Sequence, residues 1–322
     1  MRAVVLGGVG EGLEVVDDHA EPVVGDGETI IDVTACGVCG SDLHVVDGDF
    51  PSNLPMILGH EVTGVHERLG PVMVYAPWGC RSCTQCEAGL EQICPDATEA
   101  GLFTDGGYAE RMRIPGESYL SVLEGLDPVA AAPLACGGLT AYRAVMHGLD
   151  LLRDRGEAGR ALVIGAGGLG QYAIRYLRLL TDTTVVAVDL DPAKQGTALE
   201  VGAHEAFGPD DGIGTADVVL DFLGAESTMV LAAEAVRRQG LVAVVGLYGG
   251  RIPFGLGAVP HEARFMSSFW GSRAQLDDLL DLARSEPSIV QPVETLPLVD
   301  AQLAHDRLRR GDLKGRLVLT MK

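Results

Sequence analysis

Six residues, Gly165-Ala166-Gly167-Gly168-Leu169-Gly170, constrain the fold of this 322-residue chain more than any other stretch. Their Gly-x-Gly-x-x-Gly spacing arises easily by chance in a chain with 43 glycines, so the flanks decide its meaning. Ala161-Leu162-Val163-Ile164, just before it, is a short apolar run with the character of a buried strand. After it, Leu169, Ala173, Ile174 and Leu177 recur at helical spacing. Val185-Val186-Ala187-Val188-Asp189 is a second strand, and its acid falls 19 residues past Gly170. The alternation continues. Pro192 to Val201 is helical, with Pro near its start and Gly202 just past its end. Strands at Asp217–Phe222 and Leu241–Val245 flank a helix expected over Ser227–Gln239. Strands alternating with helices give a parallel sheet covered on both faces.

In that context the glycines carry chemistry. Without side chains, Gly165, Gly167, Gly168 and Gly170, with Leu169 between them, let the backbone approach a pyrophosphate seated on the positive end of a helix. Asp189 can then accept hydrogen bonds from both ribose hydroxyls and repel a 2'-phosphate, which favours NAD over NADP. Lys194, five residues on, is either a ribose neighbour or a solvated helix residue.

The seven cysteines divide into four and three. Cys80, Cys83, Cys86 and Cys94 follow Cys-x2-Cys-x2-Cys-x7-Cys, a spacing that closes a tetrahedron around one Zn2+ and leaves no open position. Such a site holds structure and does no chemistry. Of the others, Cys39 and Cys136 join His60 to offer sulfur, nitrogen and sulfur donors. Three protein ligands and one open position describe a catalytic zinc. Cys36 is then the spare, a buried packing thiol.

Residues 1–143 read as an irregular, mostly β domain with runs such as Thr29-Ile30-Ile31-Asp32-Val33, and the four-cysteine lobe at 80–94 lies within it. Residues 144–287 form the α/β unit, closed by a helix that follows Arg273-Ala274-Gln275-Leu276 and runs to about Ser285. The Pro-broken texture of 288–322 returns the chain to the first domain, with a last strand at Leu317-Val318-Leu319. Net charge is −21, which excludes nucleic acid or an anionic membrane as partner, since both need a positive footprint. No signal-peptide core and no uncharged run of 18 residues occurs, so a cytoplasmic protein is expected. Clustered cysteines in a reducing compartment point to metal rather than disulfides.

These segments together resemble the zinc-dependent medium-chain alcohol dehydrogenase family. Gly37-Val38-Cys39-Gly40-Ser41-Asp42-Leu43-His44 is similar to that family's first ligand segment, and Gly59-His60-Glu61 to its Gly-His-Glu segment. Cys80 to Cys94 looks like its structural lobe, and Leu134 to Tyr142 like the stretch carrying the third ligand. Lys314-Gly315-Arg316-Leu317-Val318 resembles its closing motif. Three stretches, Val74 to Cys80, Asp221 to Ala225 and Phe269 to Arg273, look most like actinobacterial secondary-alcohol dehydrogenases.

The resemblance implies a GroES-like catalytic domain, a Rossmann coenzyme domain, two Zn2+ per chain, NAD, a small alcohol or carbonyl substrate and a homo-oligomer, dimer or tetramer. It also implies roles. Cys39, His60 and Cys136 hold the catalytic zinc, with Glu61 behind it, and Asp42 orients His60. Ser41 hydrogen-bonds the substrate hydroxyl, His44 passes the proton to solvent, and Arg316 contacts the pyrophosphate. Trp78, Phe269 and Trp270 either line the substrate pocket or pack.

Two segments are short for the family: the 19 residues between His60 and Cys80, and the stretch from His204 to Asp217. Rival readings are a reductase of activated double bonds or a polyol dehydrogenase from the same superfamily, and a non-catalytic cofactor-binding protein with structural zinc only. The Ser41/His44 relay favours alcohol chemistry, and the complete Cys39/His60/Cys136 set speaks against a protein without turnover.

Overall fold

The computed structural model describes residues 1–311, 313 and 315–321. Lys314 of the closing motif and the terminal Lys322 lie outside the described residues. The chain divides into two compact units, Met1–Leu139 with Gly271–Lys322, and Thr140–Trp270.

The first unit is built on a seven-stranded sheet. Its path runs Leu120–Val122, Gly70–Val74, Glu61–His66, Thr29–Gly37, Arg316–Thr320, Val293–Pro297, and Arg111–Ile114 also pairs with Thr29–Gly37. The strand Arg111–Ile114 alternates exposed and buried residues, as a sheet wet on one face requires. The pairing of Thr29–Gly37 with Glu61–His66 matters most. It is antiparallel and sets Gly37 opposite Glu61, so Cys39 and His60 sit at the same end of neighbouring strands.

The 61–79 stretch, expected to be short, begins with a tight hairpin in which His66 pairs with Gly70 across three residues. Gly70 has φ +72°, a conformation that suits glycine. The shortened 204–217 stretch keeps the strand Glu205–Phe207 and crosses to Ala216–Asp221 by a loop whose Ile213 is buried.

The second unit carries a six-stranded sheet in the order Glu205–Phe207, Thr184–Val188, Arg160–Ile164, Ala216–Asp221, Val236–Val244, Arg264–Ser267. Every pairing is parallel. All six residues of Ala216–Asp221 are buried, as a central strand covered on both faces should be. Leu162, Ile164, Val186, Val188, Val219 and Val242 form its core, against the helix Glu226–Ala235 through Ala232 and Ala235. The strand order reverses beside Arg160–Ile164, where the glycine turn begins. In such sheets the crevice at that reversal takes the ligand.

Two expectations change. The helix expected over Ser227–Gln239 ends at Ala235, and Val236–Val244 is already strand. The lower helix propensity of β-branched Val236, and the parallel partner that strand finds in Ala216–Asp221, decide the boundary. The return to the first unit comes at Gly271 rather than 288, so the helix Arg273–Ser285 belongs there. It covers the sheet edge. Arg284 donates through Nε to the carbonyl of Glu124 and through Nη2 to that of Val122, both at 2.8 Å, and Arg273 caps the carbonyl of Leu120. Ser121 Oγ donates to Asp277 at 2.9 Å. An edge strand with exposed carbonyls is thereby closed.

Candidate active site

Cys39 leaves the end of Thr29–Gly37 and caps the helix Gly40–Asp47. Its backbone N–H donates to Asp42 Oδ2 at 2.9 Å, which closes the first turn and fixes both side chains. His60 stands immediately before Glu61–His66 and is fully buried. Cys136 follows the short 3-10 turn Ala132–Ala135. These elements bring donor atoms of Cys39, His60, Glu61 and Cys136 within 4.8 Å of one another. The residues come from positions spread over almost a hundred places of chain, so their convergence owes nothing to local spacing.

The surroundings are arranged around this cluster. Asp42 Oδ1 lies 3.1 Å from His60 Nδ1, and both side chains are wholly buried. Such a contact fixes the tautomer and leaves Nε2 for another partner. Glu61 is held from behind. Arg316 Nη2 donates to its two oxygens at 2.6 and 2.7 Å, and the backbone N–H of Gly137 donates to Oε1 at 3.0 Å. A Cβ on Gly37 would stand 2.0 Å from Glu61 Oε2, so only glycine fits there. Burial lifts the Glu61 carboxyl to about 7, against the pull of Arg316. The Cys39 thiol is pulled well down, first by its hydrogen bond with Cys136 and then by His60. The same contact, with burial, pushes Cys136 up, so Cys39 is the first of the pair to become thiolate. Burial opposes charge on His60, yet Asp42 and Cys39 together raise it. A thiolate-forming sulfur, an oriented imidazole and a second thiol suit a Zn2+ site with a position to spare.

Ser41 Oγ lies 3.9 Å from Cys39 Sγ. His44, half-buried, meets Asp49 at 2.7 Å through Nδ1. Arg316, expected at a pyrophosphate, is 7% exposed and turned to Glu61 and the carbonyl of Val38. Cys36 is fully buried, with its sulfur 2.6 Å from where a Cβ of Gly59 would stand, and acts as packing. Trp78 is also packing. It is buried, donates to the Tyr75 carbonyl at 3.0 Å and tilts against Tyr119. Phe269 is half-exposed and lies edge-on to the buried Trp270.

Three residues that sequence reasoning did not single out also reach the cluster or its relay: Tyr108, His305 and Asp49. For Tyr108 the signal was the preceding pair Gly106-Gly107. A Cβ on Gly106 would stand 2.2 Å from the carbonyl oxygen of Gly59, so that backbone must press against the His60 segment.

The four-cysteine lobe is separate. Cys83 Sγ and Cys94 Sγ are 3.7 Å apart, and the backbone N–H groups of Cys80 and Cys86 point at Cys94 and Cys83 sulfurs at 3.4 and 3.5 Å. Hydrogen bonds from Ser82, side chain first, hold the Cys80 thiol down to about 6. All four sulfurs fall within 4.8 Å of one another, the geometry of a closed zinc site.

In the second unit, Gly165 has φ +89°, and a Cβ on Gly170 would stand 1.9 Å from the Gly165 carbonyl oxygen. Gly167 caps the helix Gly168–Leu180 and faces open space, so a phosphate can reach the backbone there. Asp189 accepts from Ala166 N at 2.9 Å through Oδ2 and from Asp191 N at 3.0 Å through Oδ1. A cavity of about 700 Å3 opens beside it, lined by Asp189, Leu190, Lys194, Leu223, Thr228 and Tyr248 among others. Its size and position suit the adenosine half of a dinucleotide.

Residues 25–124 match the family profile described as alcohol dehydrogenase GroES-like domain, and residues 168–285 that described as zinc-binding dehydrogenase. An alcohol dehydrogenase of Geobacillus stearothermophilus is 30% identical over 348 residues, covering 100% of this chain and 99% of its own. The chain belongs to the zinc-type medium-chain alcohol dehydrogenase family. Among solved structures of its relatives, the alcohol dehydrogenase from the hyperthermophilic archaeon Aeropyrum pernix superposes with a TM-score of 0.90. The two are 28% identical over 99% of this chain and 100% of that one. Acetophenone reductase from Geotrichum candidum, in complex with NAD, gives a TM-score of 0.86 at 29% identity, covering 99% and 96%. These family relatives come from Geobacillus, an archaeon and Geotrichum, so the actinobacterial likeness rests on the three sequence stretches alone.

Proposed function

We propose that the chain interconverts an alcohol and its ketone or aldehyde by hydride transfer with NAD(H). The observation that carries this reading is the convergence of Cys39, His60 and Cys136, with Asp42 fixed behind the imidazole. In this reading those three residues hold one Zn2+, and Cys80, Cys83, Cys86 and Cys94 hold another, two per chain. A zinc ion at the open cluster would acidify the substrate hydroxyl in one direction and polarise the carbonyl in the other.

The protein's own residues do the rest. Asp42 keeps His60 in one tautomer. Ser41, two residues past Cys39, hydrogen-bonds the substrate hydroxyl, and His44 carries its proton outward with Asp49 as the acceptor behind it. Glu61, tied to Arg316, supplies a buried carboxylate behind the ligands. The Gly165–Gly170 loop seats the cofactor pyrophosphate, and Asp189 with Lys194 holds the ribose, which favours NAD. The finer substrate reading is a secondary alcohol, supported by the likeness to a protein named acetophenone reductase. Among the described residues no single helix is long and apolar enough to cross a membrane. We place the protein in the cytoplasm as a dimer or tetramer.

The test is metal content with activity on one sample. The purified protein should carry two zinc per chain and reduce simple ketones with NADH. Cys136→Ala should carry one, lose ketone reduction and still bind NADH. Full activity in that variant would overturn the proposal.

A further inference from the structure

We propose that Tyr108 and His305 are positioning residues for the open cluster, acting through a buried chain of polar contacts that runs His305–Tyr108–Asp42–His60. This rests on the reading that the cluster holds zinc. Tyr108 is fully buried and its hydroxyl donates to Asp42 Oδ2 at 2.9 Å. A phenol has one hydrogen to give, so at its other contact it must receive. That contact is His305 Nε2 at 3.2 Å, which places the His305 proton on Nε2. His305 is 2% exposed, and burial holds its pKa below the ordinary value, so the imidazole stays neutral near pH 7. The charged groups that act on it are Asp42, Asp306 and Arg309. Asp42 Oδ2 therefore accepts from two donors, Tyr108 Oη and the backbone N–H of Cys39, while Oδ1 faces His60 Nδ1 at 3.1 Å.

The chain is held at both ends by independent contacts. The backbone N–H of Tyr108 donates to the Leu58 carbonyl at 2.9 Å, and that of Gly107 to the Gly59 carbonyl at 2.8 Å, so the strip bearing Tyr108 is bonded to the strip bearing His60. Gly59 has φ +93°, and a Cβ there would stand 2.4 Å from the Tyr108 ring. At the other end, the helix Ala301–Arg310 that carries His305 is tied by Arg309 to Asp47, at 2.5 and 2.8 Å. Asp47 ends the helix Gly40–Asp47, whose cap is Cys39. The C-terminal helix thus braces both a thiol and the imidazole.

The physical consequence is specific. A buried carboxylate stripped of one donor turns toward another. That movement takes Asp42 away from His60 and releases the imidazole from a single orientation, and the loss of such an outer partner typically costs 10–100-fold in metal affinity. The Cys80–Cys94 lobe shares none of these contacts and serves as an internal control.

The experiment is zinc release from the two-zinc protein into a chromogenic chelator, resolved into its two phases. Cys136→Ala identifies the open-cluster phase by removing it. Tyr108→Phe should speed that phase about 10–100-fold and leave the other unchanged. His305→Leu should do the same, whereas His305→Gln, whose amide nitrogen can stand where Nε2 stands, should release zinc near the wild-type rate. Wild-type release in Tyr108→Phe and His305→Leu would overturn the proposal, as would equal behaviour of His305→Leu and His305→Gln. If Tyr108→Phe does not fold, the His305 pair decides alone. If the wild type itself carries a single zinc, or Cys136→Ala still carries two, the zinc reading of the cluster fails instead.

Discussion

Asp189 does two things with one carboxylate. It pins the glycine loop through Ala166 N and the following turn through Asp191 N, and it presents negative charge to the adjacent cavity. Asp189→Asn keeps its size and removes the charge. The variant should lower the NAD-over-NADP preference about tenfold, roughly 1.4 kcal/mol, read as the ratio of kcat/KM values. An unchanged ratio would remove the role. Glu99 offers a second residue-scale check. It is 7% exposed, and burial raises its carboxyl pKa. A raised carboxyl favours the protonated folded state, so its contribution is present below the unfolded pKa and is lost as pH rises through the folded one. Glu99→Gln should therefore raise the urea midpoint near pH 8 more than near pH 4.5. The position of Asp189 beside the glycine turn was legible because strand, turn and helix fix where an acid must fall. Tyr108 and His305 were not, because they meet across 197 residues and no spacing rule joins them.

Among the elements, the sequence pattern showed which faces are apolar without saying what they meet. The end of the helix Arg273–Ser285 was legible, but the helix starts four residues before the expected place, where Ser272 caps it and accepts from Gln275 N at 3.2 Å. Its owner was not legible. The bonds to the carbonyls of Leu120, Val122 and Glu124, with that of Ser121 to Asp277, reveal the surface it closes. Arg284→Ala removes two of those bonds and should cost on the order of 1–2 kcal/mol in chemical denaturation. No loss would mean that the edge strand is closed by other contacts. The boundary at Ala235/Val236 was missed for a related reason, since a strand partner outside the local window decides it. The four-cysteine lobe was fully legible because its spacing is local: a short helix, Thr84–Glu87, and a 3-10 turn, Glu91–Ile93, suffice to face the sulfurs together.

For the molecule as a whole, the net charge of −21 sets a background repulsion that contacts must overcome. Salt shortens its reach, so the thermal midpoint should rise between about 0.02 M and about 0.5 M NaCl. A falling midpoint would mean that favourable ion pairs outweigh the repulsion. The two-unit organisation was legible from the change of texture along the chain. The parallel sheet and the family were legible too. The exact return point was not, for the reason given by the helix Arg273–Ser285. Alcohol–carbonyl chemistry with NAD(H), rather than conjugate reduction, is tested by identifying the product when the two-zinc protein and NADH are given a conjugated methyl ketone. The expected product is the allylic alcohol with its double bond intact; a saturated ketone would contradict alcohol–carbonyl chemistry.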